Sequence, residues 1–271
     1  MELDLIEKSL IKRYRKRIWN RFIEAVTTYD LIQKDDKIAV CISGGKDSFL
    51  MAKLLEELKK HGHTPFSLEY IVMDPGYNKE NADKIYENAK KLNIPIKVFK
   101  SDIFEVTERV EGAPCYLCAR MRRGCLYSYA QSLGCNKIAL GHHFDDAIET
   151  TLMGMLYSGQ FNTMLPKLKS TNFEGMELIR PLYCVREKDI ISWSEFAELS
   201  FIACACRLTE GVENKEMQSY RKKVKALIKE LKEEDDLVDI NIFKAAHNVN
   251  IDQIIGYKKD GKKHTFLEFY D

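Results

Sequence analysis

Hydrophobic residues follow two different repeats along the chain, and the two repeats alternate. The first is a short apolar run rich in β-branched residues, typical of a buried strand, and it occurs at residues 37–42, 66–73, 94–99 and 137–141. The second places apolar residues three and four positions apart, as on one face of a helix, and it covers residues 49–58, 79–92, 120–133 and 147–157. This alternation predicts an α/β fold with a doubly wound, mostly parallel sheet.

Both ends of the chain also have helical patterns, with more charge. Near the N-terminus the apolar positions at helical spacing are Ile11, Tyr14, Ile18, Phe22 and Ala25. Near the C-terminus a strongly charged helix is predicted over residues 214–234. We therefore divide the chain into a basic helical segment, a central α/β domain and a C-terminal helical extension, at residues 1–30, 31–210 and 211–271.

The junction between the first strand and the first long helix carries two adjacent glycines. Without Cβ atoms, Gly44 and Gly45 allow a sharp turn in which backbone N–H groups converge ahead of a helix N-terminus. Such a point attracts anions, and Lys46 adds a mobile cation, so phosphate is the expected ligand. The spacing differs from a Walker A loop, which has four residues between its glycines. The predicted phosphate-binding residues are Ser43, Gly44, Gly45, Lys46, Asp47 and Ser48.

Two further loops are expected beside this one. Ligands of doubly wound sheets bind outside the carboxyl ends of the strands, so residues 43–48, 74–77 and 141–146 should face one crevice. One of the carboxylates Asp145 and Asp146 is expected to cap the following helix. The other could hold Mg²⁺ near nucleotide phosphates.

Composition limits the class of protein. The chain has 271 residues, of which 45% are hydrophobic and 31% charged, enough for a sizeable globular core. No apolar run is as long as a membrane span, and residues 1–7 lack the features of a signal peptide. We therefore expect a cytoplasmic protein without a membrane partner. Its eight cysteines then indicate thiol chemistry, metal binding or catalysis rather than a disulfide framework.

Cys115 and Cys118 are separated by two residues, so both sulfurs can approach one metal centre or each other. Three interpretations stay open: half of a zinc site, a redox pair, or part of an iron–sulfur cluster site. The sequence contains no second C-x-x-C pair, but Cys204 and Cys206 supply at least one more thiol. Three cysteines suit a cluster in which one iron is free of protein ligands.

Positive charge is concentrated near the N-terminus. Six lysines and arginines and no acidic residue occur from Lys12 to Arg21. These side chains suit an RNA phosphate backbone, and a plain solvated helix face is the alternative. The predicted RNA-binding surface also includes Arg120, Arg122 and Arg123.

Five motifs in the same order resemble the TtcA family of tRNA 2-thiocytidine synthetases, within the PP-loop ATP pyrophosphatase superfamily. They are SGGKDS at 43–48, PCYLCARMRRG at 114–124, IALGHHFDD at 138–146, LPK at 165–167 and IRPLYCVREKDI at 179–190. The resemblance extends from the basic helix to about Cys204. It implies a PP-loop domain like the adenine nucleotide alpha hydrolases over residues 31–210, with ATP, Mg²⁺ and a [4Fe–4S] cluster. The implied reaction is adenylylation of the C2 oxygen of a tRNA cytidine, expected to be cytidine 32 of the anticodon loop, followed by sulfur transfer.

The resemblance also assigns residues. The PP-loop falls on residues 43–48, and further nucleotide contacts are expected at Asp74, Gly141 and His142. Catalytic roles are expected for Lys46, Asp47 and Asp146, and cluster ligation for Cys115, Cys118 and Cys204.

The third cysteine departs from the family pattern. The family usually has proline before this cysteine and a second cysteine three residues later. This chain has Ala203 before Cys204, and Cys206 follows two residues later. Cys206 is therefore an alternative third ligand.

Two other functions and one other mechanism stay open. A tRNA uridine thiolase of the same superfamily would keep the ATP loop, but it usually carries additional zinc-binding pairs absent here. A non-enzymatic RNA-binding iron–sulfur protein would have no use for residues 43–48. A persulfide on Cys115 or Cys118 is the alternative to cluster-assisted sulfur delivery. The expected partners are tRNA, a sulfur donor, either a cysteine desulfurase or free sulfide, and a second copy in a homodimer.

Overall fold

A computed structural model of the chain describes residues 2–101, 114–201 and 215–270, with only the backbone at 114–120, 215–219 and 269. The chain divides into two compact units. The first unit is Met1–Ala147 with Met164–Tyr220, and the second is Ile148–Thr163 with Arg221–Asp271.

The first unit is built on a six-stranded sheet. Its strands are β1 (Lys37–Cys41), β2 (Ser67–Asp74), β3 (Ile96–Lys100), β4 (Lys137–Ala139), β5 (Lys167–Lys169) and β6 (Glu177–Ile179). They lie in the order β3-β2-β1-β4-β6-β5, and only the pair β5 and β6 is antiparallel. The predicted doubly wound, mostly parallel sheet is confirmed, with a switch in strand order between β1 and β4.

Helices account for most of the remaining described chain. They are α1 (Leu3–Ile11), α2 (Asn20–Thr28), α3 (Lys46–His61), α4 (Lys79–Lys91), α5 (Pro114–Ser132), α6 (Phe144–Ser158), α7 (Glu187–Phe196), α8 (Lys215–Glu234) and α9 (Val238–Ala245). The additional helices expected at both ends of the chain are present.

The core forms where the two hydrophobic repeats meet. Ile38, Ala39 and Val40 of β1 are fully buried, as expected of a strand covered on both faces. Helix α3 contacts β1 and β2, and its Leu50 and Leu54 are fully buried at helical spacing. Each such side chain contributes about 1.5–3 kcal/mol of burial free energy, so the sheet and α3 hold the loop between them in place.

Two predicted helices differ from the observed ones. Helix α5 begins at Pro114 rather than near residue 120, since proline is well tolerated at the first helical position. The N-terminal helix is interrupted, because α1 ends at Ile11 and a π-helical turn at Arg15–Trp19 precedes α2. Its apolar face nevertheless packs as predicted, and Tyr14, Ile18 and Phe22 are fully buried.

The second unit contains most of α6, most of α8, all of α9 and a two-stranded hairpin. The hairpin strands are β7 (Gly256–Lys259) and β8 (Lys262–Thr265). Arg221 donates a hydrogen bond to the buried Glu149 at 3.0 Å, and Lys232 pairs with the buried Asp239. Strands β5 to β8 and helices α7 and α9 were not predicted, because they are short and lack a long hydrophobic repeat.

No helix in the described part of the chain is long and apolar enough to cross a membrane.

Candidate active site

The glycine loop (residues 43–48) connects β1 to α3. Gly44 has a φ of 84°, in the region that favours glycine. The Ser43 N–H donates to Ser48 Oγ at 3.2 Å, and the Ser48 hydroxyl donates to the Gly45 carbonyl at 2.8 Å. The buried Ser48, in the first turn of the sixteen-residue helix α3, therefore closes the turn at the N-terminus of that helix. A helix N-terminus of this kind binds anions.

Gly141 brings the loop after β4 against the glycine loop. A Cβ atom at this position would lie 3.1 Å from the backbone nitrogen of Ser48 and 3.2 Å from the carbonyl carbon of Asp47. A larger residue would push the two loops apart, because backbone atoms cannot give way as a side-chain tip can. The glycine is therefore needed for close packing of the two loops.

Two carboxylates and an imidazole meet beside the glycine loop. The buried His143 has Nε2 at 3.8 Å from Asp47 Oδ1 and Nδ1 at 3.6 Å from Asp146 Oδ2. His143 and Asp146 also cap α6, because the His143 N–H donates to Asp146 Oδ2 and the Asp146 N–H donates to His143 Nδ1. Burial raises the pKa of Asp47, while the adjacent His143 and Lys46 act in the opposite direction.

Lys46 is held between two carboxylates. Its Nζ lies 3.3 Å from Asp47 Oδ1 and 3.2 Å from Oε1 of Glu187, the first residue of α7. The backbone N–H of Glu187 in turn donates to Asp145 Oδ2 at 2.7 Å. Asp145 therefore caps α7, Asp146 takes part in the cap of α6, and α7 presents Glu187 to the loop lysine.

A cavity of about 420 Å³ opens beside the loop at the carboxyl ends of the strands. Its polar wall is formed by residues of the glycine loop, by two arginines of α5 and by Asp146. These residues are Ser43, Asp47, Ser48, Arg122, Arg123 and Asp146. Cys41, Met73 and Leu126 contribute to an apolar wall. An apolar wall and a cationic, glycine-lined wall together suit a base and its phosphates.

The cationic wall extends to a buried arginine. Arg180 donates from Nε to His142 Nδ1 at 3.3 Å and from Nη1 to the Leu165 carbonyl. Burial, and then the positive charge of Arg123, lower the pKa of Arg180 to about 10. Burial is the larger cause of this shift, and the contribution of Arg123 indicates that the two guanidinium groups lie near each other.

The structure brings six predicted site residues to one cavity: Ser43, Asp47, Ser48, Gly141, His142 and Asp146. Asp74 lies at the end of β2, where its Oδ1 accepts hydrogen bonds from the N–H groups of Gly76 and Tyr77, both at 2.8 Å. It shapes the turn that places Tyr77 in the cavity wall. The cluster candidates lie outside the description: the side chains of Cys115 and Cys118, and all of Cys204 and Cys206.

Sequence reasoning missed four residues of the site. His143 and Arg180 were inside recognised motifs without an assigned role, and Glu187 was 141 residues from the lysine that it contacts. Tyr77 follows the second strand in a loop that was expected to face the crevice. Arg122 and Arg123, which were predicted to bind RNA, line the nucleotide-sized cavity.

The site fits a nucleotide with an associated cation. Asp47 Oδ1 is buried and accepts no hydrogen bond from the described residues, as expected for an acceptor satisfied by a bound ligand or ion. The described residues do not assemble three ligands for a metal on their own. Mg²⁺ therefore fits best when phosphates supply most of its oxygens and one or two carboxylates the rest.

A glycine loop at the switch point of a doubly wound sheet, with a lysine and an acid pair, defines a PP-loop nucleotide-binding protein. A family profile described as a PP-loop domain matches residues 13–207. A tRNA-cytidine(32) 2-sulfurtransferase of Citrifermentans bemidjiense is 36% identical over 238 residues, 86% of this chain and 91% of the relative. The corresponding protein of Coxiella burnetii is 35% identical over 91% of this chain and 95% of the relative. The chain belongs to the tRNA-cytidine(32) 2-sulfurtransferase family, as its motifs indicated.

A solved structure with the same fold is the U34-tRNA thiolase NcsA from Methanococcus maripaludis with its [4Fe–4S] cluster. The TM-score is 0.67, at 22% identity, over 89% of this chain and 80% of NcsA. At this identity the likeness supports the fold of the chain.

Proposed function

We propose that this protein is an ATP-dependent tRNA sulfurtransferase that converts a cytidine of tRNA, cytidine 32, to 2-thiocytidine. One observation carries the proposal: in a chain of this family, Ser43 and Ser48 of the glycine loop line one cavity together with the Asp47–Asp146 pair and the cationic wall, and Lys46 contacts Asp47. A non-enzymatic RNA-binding protein would not need this arrangement.

The reaction begins with activation of a poor leaving group. Transfer of AMP from ATP to the C2 oxygen releases pyrophosphate and turns that oxygen into part of a good leaving group. Sulfur then bonds to C2 and AMP leaves with the oxygen. The loop N–H groups and Lys46 would stabilise negative charge on the departing pyrophosphate, and the apolar wall would orient the base.

Mg²⁺ belongs to the same proposal. Asp47 and Asp146 would share the ion with ATP phosphates, because both line the cavity and Asp47 Oδ1 accepts no other described hydrogen bond. His143, in contact distance of both carboxylates, would keep them apart and oriented. Arg122 and Arg123, which line the cavity, would bind phosphates there.

The family supports a [4Fe–4S] cluster, with Cys115, Cys118 and Cys204 as proposed ligands. When bound, the cluster would supply sulfur at a defined place beside the activated carbon. A cysteine desulfurase or free sulfide is the proposed sulfur donor. The three-part division of the chain, a cytoplasmic location and formation of a homodimer belong to the same proposal.

The proposal is tested with a deletion strain and two lysine variants. Nucleoside mass spectrometry should show loss of 2-thiocytidine from tRNA in the strain and its return with the wild-type gene. Lys46→Ala should lower ATP-to-AMP turnover on the order of 100-fold, because it removes a charge that faces the leaving group. Lys59→Ala, an exposed lysine of the same helix, should leave turnover unchanged. Unchanged pyrophosphate release by Lys46→Ala would contradict the mechanism, and loss of 2-thiouridine instead would identify a uridine thiolase.

A further inference from the structure

The C-terminal hairpin, β7 with β8, has an unusual distribution of charge. It lies outside residues 13–207, which the PP-loop profile matches. Its strands carry four lysines, all exposed, on either side of the turn formed by Asp260 and Gly261. In the antiparallel register Lys258 faces Lys263 and Lys259 faces Lys262. Both pairs nearest the turn therefore bring like charges together.

Such pairs destabilise a hairpin. Like charges directly opposite each other on two strands repel, and a two-stranded hairpin is only marginally stable in water. No carboxylate of the described residues forms an ion pair with these four lysines, whereas many other lysines of the chain are paired. The repulsion would fall if an anion lay along the hairpin.

The hairpin keeps its shape by other means. Asp260 and Gly261 have φ values of 50° and 76°, and an Asp-Gly turn with two positive φ values matches the twist of hairpin strands. The next cross-strand pair, Tyr257 and His264, is stacked with ring centroids 4.9 Å apart. His264 also contacts Glu268 at 2.9 Å. A rigid turn thus holds the lysines in a fixed arrangement.

The two faces of the hairpin differ. Alternate residues of a strand point to opposite faces, so Lys259 and Lys262 share a face with the Tyr257–His264 stack. Lys258 and Lys263 occupy the other face, with Gly256 and Thr265. Both faces offer two cations, and one of them adds an aromatic pair on which an unstacked base can lie.

We propose that this hairpin is a second tRNA-binding element, which holds the phosphate backbone of the substrate outside the active site. The inference rests on the proposed function, since tRNA is then the polyanion that the chain must bind. RNA is favoured over an anionic membrane surface because the lysines lie beside the turn with a stacked aromatic pair, whereas the exposed aliphatic side chains Ile255 and Leu267 lie beyond the ends of the two strands.

The test compares paired variants in tRNA binding at several salt concentrations. Lys259→Gln with Lys262→Gln, and Lys258→Gln with Lys263→Gln, should each weaken binding about tenfold near 0.15 M salt. Each pair should lower the slope of log affinity against log salt by about 1.5, because each phosphate contact contributes about 0.7–0.9. Lys259→Arg with Lys262→Arg keeps the charge and should bind as the wild type does. A further control is Lys34→Gln with Lys90→Gln, at two exposed lysines outside the hairpin. This double substitution should leave the slope unchanged.

Weaker tRNA binding by the glutamine variants would not result from unfolding of the hairpin, because removal of the lysine–lysine repulsion should leave their melting temperature equal to that of the wild type or higher. A wild-type slope in both glutamine pairs would overturn the inference, as would equal losses in the Lys34 and Lys90 control. Wild-type protein that neither binds nor thiolates tRNA would overturn the proposed function and the inference together. Binding to phosphatidylglycerol vesicles that the glutamine variants lose, with unchanged tRNA affinity, would assign the hairpin to a membrane surface instead.

Discussion

Asp47 shows how one residue serves the site at a cost to the fold. Its carboxylate is largely enclosed, Oδ1 accepts no hydrogen bond from the described residues, and burial raises its pKa. A carboxyl group with a raised pKa binds its proton more tightly in the folded chain than in the unfolded one. Ionised Asp47 therefore lowers the free energy of unfolding once the pH exceeds the ordinary aspartate range, and the cost disappears when both states are protonated.

We predict that Asp47→Asn is more stable than the wild type at pH 7, although it is inactive. Removal of the buried charge should raise the melting temperature by about 2–4 °C for a gain on the order of 1 kcal/mol, and the difference should shrink as the pH falls toward 4. Thermal unfolding at both pH values measures it. Asp83→Asn, at an exposed carboxylate of α4, should change the melting temperature by less than about 1 °C. A less stable Asp47→Asn at pH 7 would show that the carboxylate stabilises the fold.

Glu187 is predicted to position Lys46. Its Oε1 lies 3.2 Å from Lys46 Nζ, and its backbone is held by Asp145. Glutamine keeps an acceptor there, so Glu187→Gln should retain kcat near the wild-type value. Glu187→Ala leaves the lysine without this acceptor and should lower kcat on the order of tenfold, because small misplacements of a catalytic group are costly.

Steady-state ATP turnover with tRNA checks this prediction, with the exposed Glu195→Ala of the same helix as control. Equal kcat values for the glutamine and alanine variants would show that Glu187 does not position Lys46.

At the scale of elements, the basic N-terminal segment divides into cations that contact other described residues and cations that are exposed to solvent. The guanidinium of Arg13 lies 4.6 Å from the centroid of the Phe196 ring, and Arg17 contacts the buried Asp189 at 3.3 Å. Arg21 pairs with Glu24 at 2.6 Å. These three side chains attach the segment to α7 or to itself. Lys12, Arg15 and Lys16 are exposed, and they remain the better candidates for RNA contacts.

Substitutions should separate these two groups. Reversal of the three exposed charges should lower the slope of log affinity for tRNA against log salt by about 2–3. The melting temperature should stay unchanged. Arg17→Ala should leave the salt dependence of tRNA binding unchanged and lower the free energy of unfolding by about 1 kcal/mol, because it leaves the buried Asp189 carboxylate without its cation. Binding isotherms over a salt series and thermal unfolding distinguish them. If the exposed-charge variant binds tRNA with the wild-type slope, that face of the segment is merely solvated.

At the scale of the whole molecule, assembly of the proposed cluster would require segments that are distant in sequence. Cys115 and Cys118 belong to the start of α5, and Cys204 or Cys206 is the proposed source of the third thiol. We predict that anaerobic protein binds about four iron atoms per chain, and that Cys204→Ala loses them while Cys206→Ala keeps them. Cys125→Ala is the control, because Cys125 is a free cysteine in α5.

Iron analysis and electron paramagnetic resonance decide this prediction. If Cys204→Ala keeps all of its iron and Cys206→Ala loses it, the third ligand is Cys206 rather than Cys204. If the wild type contains stoichiometric zinc instead of iron, the site is a zinc site and the cluster prediction is wrong.

The sequence by itself determined the first four strands of the sheet, β1 to β4, the glycine loop and the family. Long hydrophobic repeats reflect local geometry, and adjacent glycines with a lysine have few uses other than a phosphate turn, so α3, β1 and β2 could be located closely. The short strands β5 and β6 could not, because a three-residue pattern identifies a strand only once β6 pairs with β4 and β5 pairs with β6. The roles of His143 and Arg180 could not be predicted either, because they depend on contacts with side chains from other elements.

Only the tertiary structure decided which distant side chains meet. It paired Lys46 with Glu187, brought Arg122 and Arg123 into the cavity wall, and joined residues 148–163 to 221–271 in one unit. It also set Lys258 against Lys263 and Lys259 against Lys262. The physical reason is common to all of these: hydrophobic periodicity specifies which face of an element is buried, whereas contacts between polar side chains depend on how the buried faces pack.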